Sequence, residues 1–162
     1  MTRTPTPHGQ VTRDVPDAVR ALSSLPRIDY ADRCTLGTEV VATPEQWARA
    51  MFGDVPSAPE VLIWRGLLGF RLSPGRSPDT VGGWRIGDRD EDRIRLETAS
   101  PSLRAEMHVE TGAGWVSWTT CLRFDGLPGR LIWTPASALH RRLVPGVLRA
   151  AAVRLDAGPR VR

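Results

Sequence analysis

The stretch Arg93-Ile-Arg-Leu-Glu-Thr-Ala-Ser-Pro-Ser-Leu-Arg-Ala-Glu-Met-His-Val-Glu-Thr-Gly-Ala-Gly-Trp-Val-Ser-Trp-Thr-Thr-Cys-Leu-Arg-Phe124 decides the fold. Its inward-facing residues recur at every second position. Ile94, Leu96 and Thr98 share a face in the first run; Leu103, Ala105, Met107 and Val109 do so in the second. Val116, Trp118, Thr120, Leu122 and Phe124 complete the third. A period of two marks strands with one buried face. Arg95, Glu97, Arg104, Glu106, His108 and Glu110 fall on the opposite face, which is therefore expected in water. The breaks at Ser100-Pro101 and Thr111-Gly112-Ala113-Gly114 suit hairpins. The pattern predicts antiparallel strands at Arg93–Ser100, Leu103–Glu110 and Trp115–Phe124. It adds Gly83–Gly87 before them and Gly129–Thr134 after the turn Gly126-Leu-Pro-Gly129.

Outward from this meander the periodicity changes. A short helix is expected from Asp14 to Leu22, and a first strand over Ile28–Leu36. Thr43-Pro44-Glu45-Gln46 supplies a cap, a proline at the first helical position and an acid in the first turn. The helix so opened runs to Phe52 and buries Trp47, Ala48, Met51 and Phe52. A second helical stretch covers Ala58–Leu68. The chain closes with a helix from Pro135 to Val153, its stripe Ala136, Leu139, Leu143, Val147 and Ala150 with Val144, Leu148 and Ala151 beside it, and Pro145 expected to kink it. The fold class is α+β: one domain over residues 14–155, with mobile tails at 1–13 and 156–162.

Composition excludes several functions. No apolar run in the 162 residues approaches a membrane span, and Met1–His8 contains no apolar signal core. All 22 basic residues are Arg, and neither Lys nor Asn occurs, as codon bias in a GC-rich bacterial genome would produce. The charge is uneven, −2 over residues 1–122 and +6 over 123–162. Arg141, Arg142, Arg149 and Arg154 nevertheless lie on a helix without aromatic residues to stack bases, so a solvated face is expected rather than a nucleic-acid site. Cys34 and Cys121 are too few for a disulfide scaffold, which places the chain in the cytoplasm with reduced thiols. Asp88, Asp90 and Asp92 begin like a calcium loop, but the sixth position is Arg93 rather than Gly and the twelfth is Ala99 rather than Glu. No nucleotide or nucleophile motif is present, and the three His and two Cys are scattered, so no metal or cofactor is expected.

Three segments carry a resemblance: Asp29-Tyr-Ala-Asp32, Gly129-Arg-Leu-Ile-Trp133, and the helix opening Ala138-Leu-His-Arg-Arg-Leu-Val-Pro-Gly-Val-Leu-Arg-Ala150. With the element order, they resemble the START/polyketide-cyclase (SRPBCC) superfamily, and more narrowly an uncharacterised bacterial domain-of-unknown-function branch of it. Where that branch often has Pro-Phe-His, this chain has Ala138-Leu139-His140. The resemblance implies a helix-grip fold: a curved antiparallel sheet wrapped around a long C-terminal helix, with two short helices after the first strand. It also implies a cavity between sheet and helix, used by members to carry lipids and hormones or to cyclise and dehydrate polyketides.

The expected ligand-binding residues are Tyr30, Trp84, Met107, Trp118, Thr120, Trp133, Leu139, His140 and Leu143. The six tryptophans either fill a core or wall a flat ligand, each with one N–H to offer. Trp118 should face inward and Trp115 outward. His140, near the apolar stripe, is either a core histidine bonded to a strand carbonyl or Tyr30, or a cavity acid–base group; it is the one catalytic candidate. His108 is expected to be exposed. The leading functional expectation is binding of a small hydrophobic or aromatic, lipid- or polyketide-like molecule. Alternatives are a cofactor-independent cyclase or dehydratase and an interaction module using the basic helix. A homodimer is left open.

Overall fold

The longest hairpin organises the molecule. In the structure, a computed structural model describing residues 9–158, strands β6 (Leu103–Gly112) and β7 (Trp115–Phe124) pair antiparallel from Leu103↔Phe124 to Gly112↔Trp115. The turn needs both its glycines. Gly114 sits at φ +78°, and the Trp115 indole lies where a side chain on Gly112 would be. The other strands are β1 (Val11–Thr12), β2 (Tyr30–Gly37), β3 (Thr80–Val81), β4 (Trp84–Arg89) and β5 (Arg93–Ala99). They complete a curved seven-stranded sheet of order β1-β2-β7-β6-β5-β4-β3 in which every neighbouring pair is antiparallel. Val11 pairs with Cys34 and Thr12 with Arg33, so the sheet reaches into the segment expected as a mobile tail. The remainder of both expected tails lies largely outside the described residues.

The alternation holds along the inner face, where Ile94, Leu96, Leu103, Ala105, Met107, Val109, Val116, Trp118 and Leu122 are all buried. Two helices share the task of covering it. α2 (Pro44–Phe52) opens with the expected capping box: the Thr43 hydroxyl accepts from the Gln46 N–H at 3.1 Å, and the Gln46 amide accepts from the Thr43 N–H at 2.8 Å. It buries Trp47, Ala48, Met51 and Phe52 against β5, β6 and the final helix. α3 (Ala58–Val61) runs on into a π-helical turn, Leu62–Leu67, in which the Leu68 N–H reaches the Ile63 carbonyl at 2.9 Å.

The final helix, α4, spans Leu127–Asp156, about 45 Å at 1.5 Å per residue. The strand expected at Gly129–Thr134 is therefore its first turns. Pro128, in the first turn, lacks a donor that would have gone unused there. Gly129 gives the close approach to the Ser102 carbonyl that a side chain would prevent. β7 already has β6 and β2 as neighbours, leaving no adjacent place in the sheet for another strand. The helix continues through Pro135 and Pro145, which cannot donate to the carbonyls four residues earlier. Its buried line is Trp133, Ser137, Val144, Leu148 and Ala151, so that the deepest burial falls on the residues expected beside the stripe, about one position along from the stripe itself. Leu139 and Leu143 are about half exposed, at 49% and 47%.

The outer face also departs from expectation. Glu106 and His108 are 1% and 0% exposed, because residues 15–28, including the short helix α1 (Asp17–Arg20), lie over that face. Val15, Ala31 and Cys121 form a small second core there, with Val19, Leu25 and Ile28 packed on it. Glu106 anchors the cover. It accepts from Ser23 Oγ at 2.7 Å, from the Ser24 N–H at 3.0 Å and from the Ser24 hydroxyl, and lies 3.0 Å from His108 Nε2. Burial pushes its pKa up, but the bonds from His108, Ser24 and Ser23 outweigh it and hold the carboxyl at about 2.

Candidate functional site

Between α4, the π-helical turn and the inner faces of β4, β6 and β7 lies a cavity of about 150 Å³. Alternation sets its floor: Trp118, Thr120 and Leu122 from β7 and Ala105 and Met107 from β6 point the same way. Phe52, Trp64, Phe70 and Trp84 wall one end, in edge-to-face contacts with ring centroids 5.5–5.9 Å apart. Trp133, His140, Leu139 and Leu143 from α4 close the other side. Leu67, Leu139 and Leu143, each about half exposed, form its apolar rim.

Eight of the nine expected ligand-binding residues thus line one cavity. Trp133 reaches it from α4 rather than from a strand. Tyr30 sits behind His140 instead of lining the space. The residue missed by sequence reasoning is Asp32. It is 1% exposed and lies opposite Thr120 on the inner face, with its carboxylate accepting from the Tyr30 hydroxyl at 2.5 Å. His140 Nε2 lies 3.2 Å from Asp32 Oδ2 and 3.4 Å from Oδ1. The signal was present: Asp29-Tyr-Ala-Asp32 places a carboxylate on the inward side of an otherwise apolar strand. Asp29 differs, closing the strand end with Arg27 and the Phe124 N–H.

This polar group is tightly held. Burial first, then the neighbouring Asp32, pushes the Tyr30 hydroxyl well above the ordinary phenol range, so it remains a proton donor. The Trp118 and Trp133 rings flank His140 with centroids 5.6 and 5.2 Å away, and Trp133 meets Tyr30 edge-on at 5.1 Å. Asp32 thereby orients the imidazole through Nε2. Such a carboxylate–imidazole pair is chemically able to hold or move a proton.

The packing around the cavity has a second polar feature. Trp84 Nε1, Trp118 Nε1, Trp133 Nε1 and Thr120 Oγ1 are buried without hydrogen-bond partners among the described residues. A buried polar group left unsatisfied costs about 1–3 kcal/mol. At the rim, burial raises the Glu60 carboxyl above its ordinary value, against bonds from Ser57 that lower it.

A larger groove, about 610 Å³, opens on the outer face between Arg71, Arg85, Glu97, Arg104, Glu106 and Asp125. Arg85 pairs there with Glu97, and Arg104 with Asp125 at 3.2 Å. The inner cavity, unlike this groove, is apolar and brings together eight of the nine expected residues, and it is taken as the candidate site. Among the described residues no cluster of His, Cys, Asp and Glu could hold a metal ion, and no helix is long and apolar enough to cross a membrane. Cys34 and Cys121 are both free and buried. In comparisons with known proteins, the chain matches no family model, no curated protein and no solved structure.

Proposed function

We propose that this chain binds a small hydrophobic or aromatic molecule in the cavity between the sheet and α4, in the manner of a helix-grip domain of the START/polyketide-cyclase kind. One observation carries the reading: a concave space on the inner face is walled almost wholly by apolar and aromatic side chains, with Glu60, Thr120 and His140 the polar residues among them. Ligand sites have this composition, a few placed polar groups in a largely hydrophobic concavity. The resemblance in the Asp29–Asp32 and Ala138–Ala150 segments points the same way. At about 150 Å³ the space suits one ring rather than a sterol or a fused polyketide, and the half-exposed leucine rim is where a longer molecule would protrude. Calorimetric titration with toluene tests the reading. One-to-one binding is expected, and Ala105→Leu, which fills the floor with apolar atoms, should abolish it. Equal binding by the two proteins would place the toluene elsewhere.

The Asp32–His140 pair supports a second reading, a cofactor-independent cyclase, dehydratase or isomerase acting on the same ligand. His140 would take a proton from an acidic carbon or hydroxyl, and Asp32 would hold the ring in place. His140→Gln separates the readings, since an amide keeps a hydrogen bond to Asp32 but does not shuttle protons at neutral pH. Unaltered turnover by that variant would make the histidine structural.

A further inference from the structure

The inner side of α4 packs on the fold, while its outer side stands in solvent. We infer that this outer side docks on an anionic lipid surface, lying in the plane of the interface with its apolar side chains at the acyl boundary and its arginines among the phosphates. Three observations lead there.

The first is where exposed apolar area collects. Among the described residues nine large apolar side chains are exposed, and five of them belong to α4: Leu127, Leu131, Leu139, Leu143 and Val153, each 47–69% exposed. Leu131, Arg142, Arg149 and Val153 follow one another at close to whole helical turns, so they form a line about 33 Å long on one side of the helix.

The second is charge. α4 carries Arg130, Arg141, Arg142, Arg149 and Arg154 and no acid before Asp156. Ten arginines elsewhere in the described chain pair with carboxylates, whereas none of these five does. Arg141 turns inward, its guanidinium 3.4 Å from the Tyr30 hydroxyl, and Arg154 donates to the Ala50 carbonyl at 2.7 Å. Arg142 and Arg149 stand exposed among the leucines. They are solvated in the free protein, and a row of one sign attracts a negative partner.

The third is what the face lacks. Between Leu131 and Val153 its exposed residues, the two arginines aside, are Thr134, Pro135, Ala138, Leu139, Leu143 and Gly146. The Thr134 hydroxyl already donates to the Arg130 carbonyl at 2.8 Å. Alkyl groups and guanidinium do not read a particular partner; they ask for negative charge and apolar depth, which an anionic bilayer supplies together. A second copy laid face to face would set arginines against arginines. Duplex DNA offers phosphates but no place for the leucines. Docking on lipid does not depend on what the cavity holds, although Leu139 and Leu143 also form its rim.

The test is co-sedimentation of the full chain with vesicles of phosphatidylcholine, alone or with about one-third phosphatidylglycerol. The anionic vesicles should bind the chain, the neutral ones should not, and the binding should weaken with salt. Arg142→Gln with Arg149→Gln should lower the partition coefficient about thirtyfold, at roughly fivefold for each arginine near an anionic surface. Leu131→Ser with Val153→Ser, exposed and outside the cavity lining, should lower it as well. Cys34 and Cys121 are buried, so an environment-sensitive fluorophore can be placed on Leu131→Cys alone. Its emission should shift to the blue on anionic vesicles, whereas the same label on Asp90→Cys, in the β4–β5 turn, should not respond. Equal binding to neutral vesicles, unchanged binding by the arginine variant, a response at residue 90 alone, or no binding to either vesicle would each overturn the proposal. So would a stable dimer in light scattering that Leu131→Ser disrupts, which would assign the face to a second copy.

Discussion

Glu106→Gln is the substitution whose consequence follows most directly from the geometry. The carboxylate is 1% exposed and holds residues 23 and 24 against the outer face of the sheet. Its pKa of about 2 in the folded protein compares with an ordinary 4.5. At 1.36 kcal/mol per unit, that depression is worth on the order of 3 kcal/mol of stability at neutral pH. The sign follows from proton binding. The unfolded chain takes up the proton first, so the contribution is present in full above the unfolded value and fades as pH falls from about 5 toward 2. Gln preserves shape and one acceptor but loses the charge shared with His108 and the two serines. Urea denaturation of both proteins at pH 7, 5 and 3 isolates the group, because every other carboxylate cancels in the difference. The variant should be less stable by roughly 2–3 kcal/mol at pH 7, with the gap closing toward pH 3. A constant gap, or none at pH 7, would refute the assignment of Glu106 as the anchor of residues 15–28.

Trp118→Ala should cost about 3–5 kcal/mol in chemical denaturation, since it opens the cavity floor, whereas Trp115→Ala, half-buried at the hairpin end, should cost much less. Equal losses would contradict the β7 register. Tyr30→Phe removes a bond to a buried carboxylate and should lower stability by about 1.5–3 kcal/mol; a neutral result would mean that Asp32 does not depend on it. Affinity for duplex DNA should be weak and vanish by moderate salt, as expected when Arg142 and Arg149 on α4 are a solvated face. Tight binding at physiological salt, lost with Arg142→Ala and Arg149→Ala together, would instead favour the interaction-module alternative.

Alternation made most of the sheet legible, because a one-residue error would turn every side chain of β5, β6 or β7 to the wrong face. α2 was equally readable, since Thr43, Pro44 and Gln46 specify its start through local bonds. The start of α4 was not. Gly126-Leu-Pro-Gly129 has the composition of a hairpin turn, and only the flanking of β7 by β2 and β6 excludes a strand after it. That is a fact of topology and is absent from local sequence. The outer face was misjudged for a similar reason: Glu106 and His108 look like solvent-facing positions until Ser23 and Ser24, more than 80 residues earlier, fold over them. In the site, strand phase turned Met107, Trp118 and Thr120 inward as expected, whereas the cavity itself was an expectation of the resemblance and Trp133 was assigned to a strand that is the start of α4. Asp32 escaped because its significance lies in a partner 108 residues away.

The central claim is occupancy of the inner cavity, and bromine anomalous scattering from crystals soaked in bromobenzene tests it most directly. The expected result is one bromine peak per chain inside the space bounded by Met107, Trp118 and Trp133. A peak confined to the outer-face groove between Arg71 and Asp125, or its absence when calorimetry shows binding in solution, would contradict the claim.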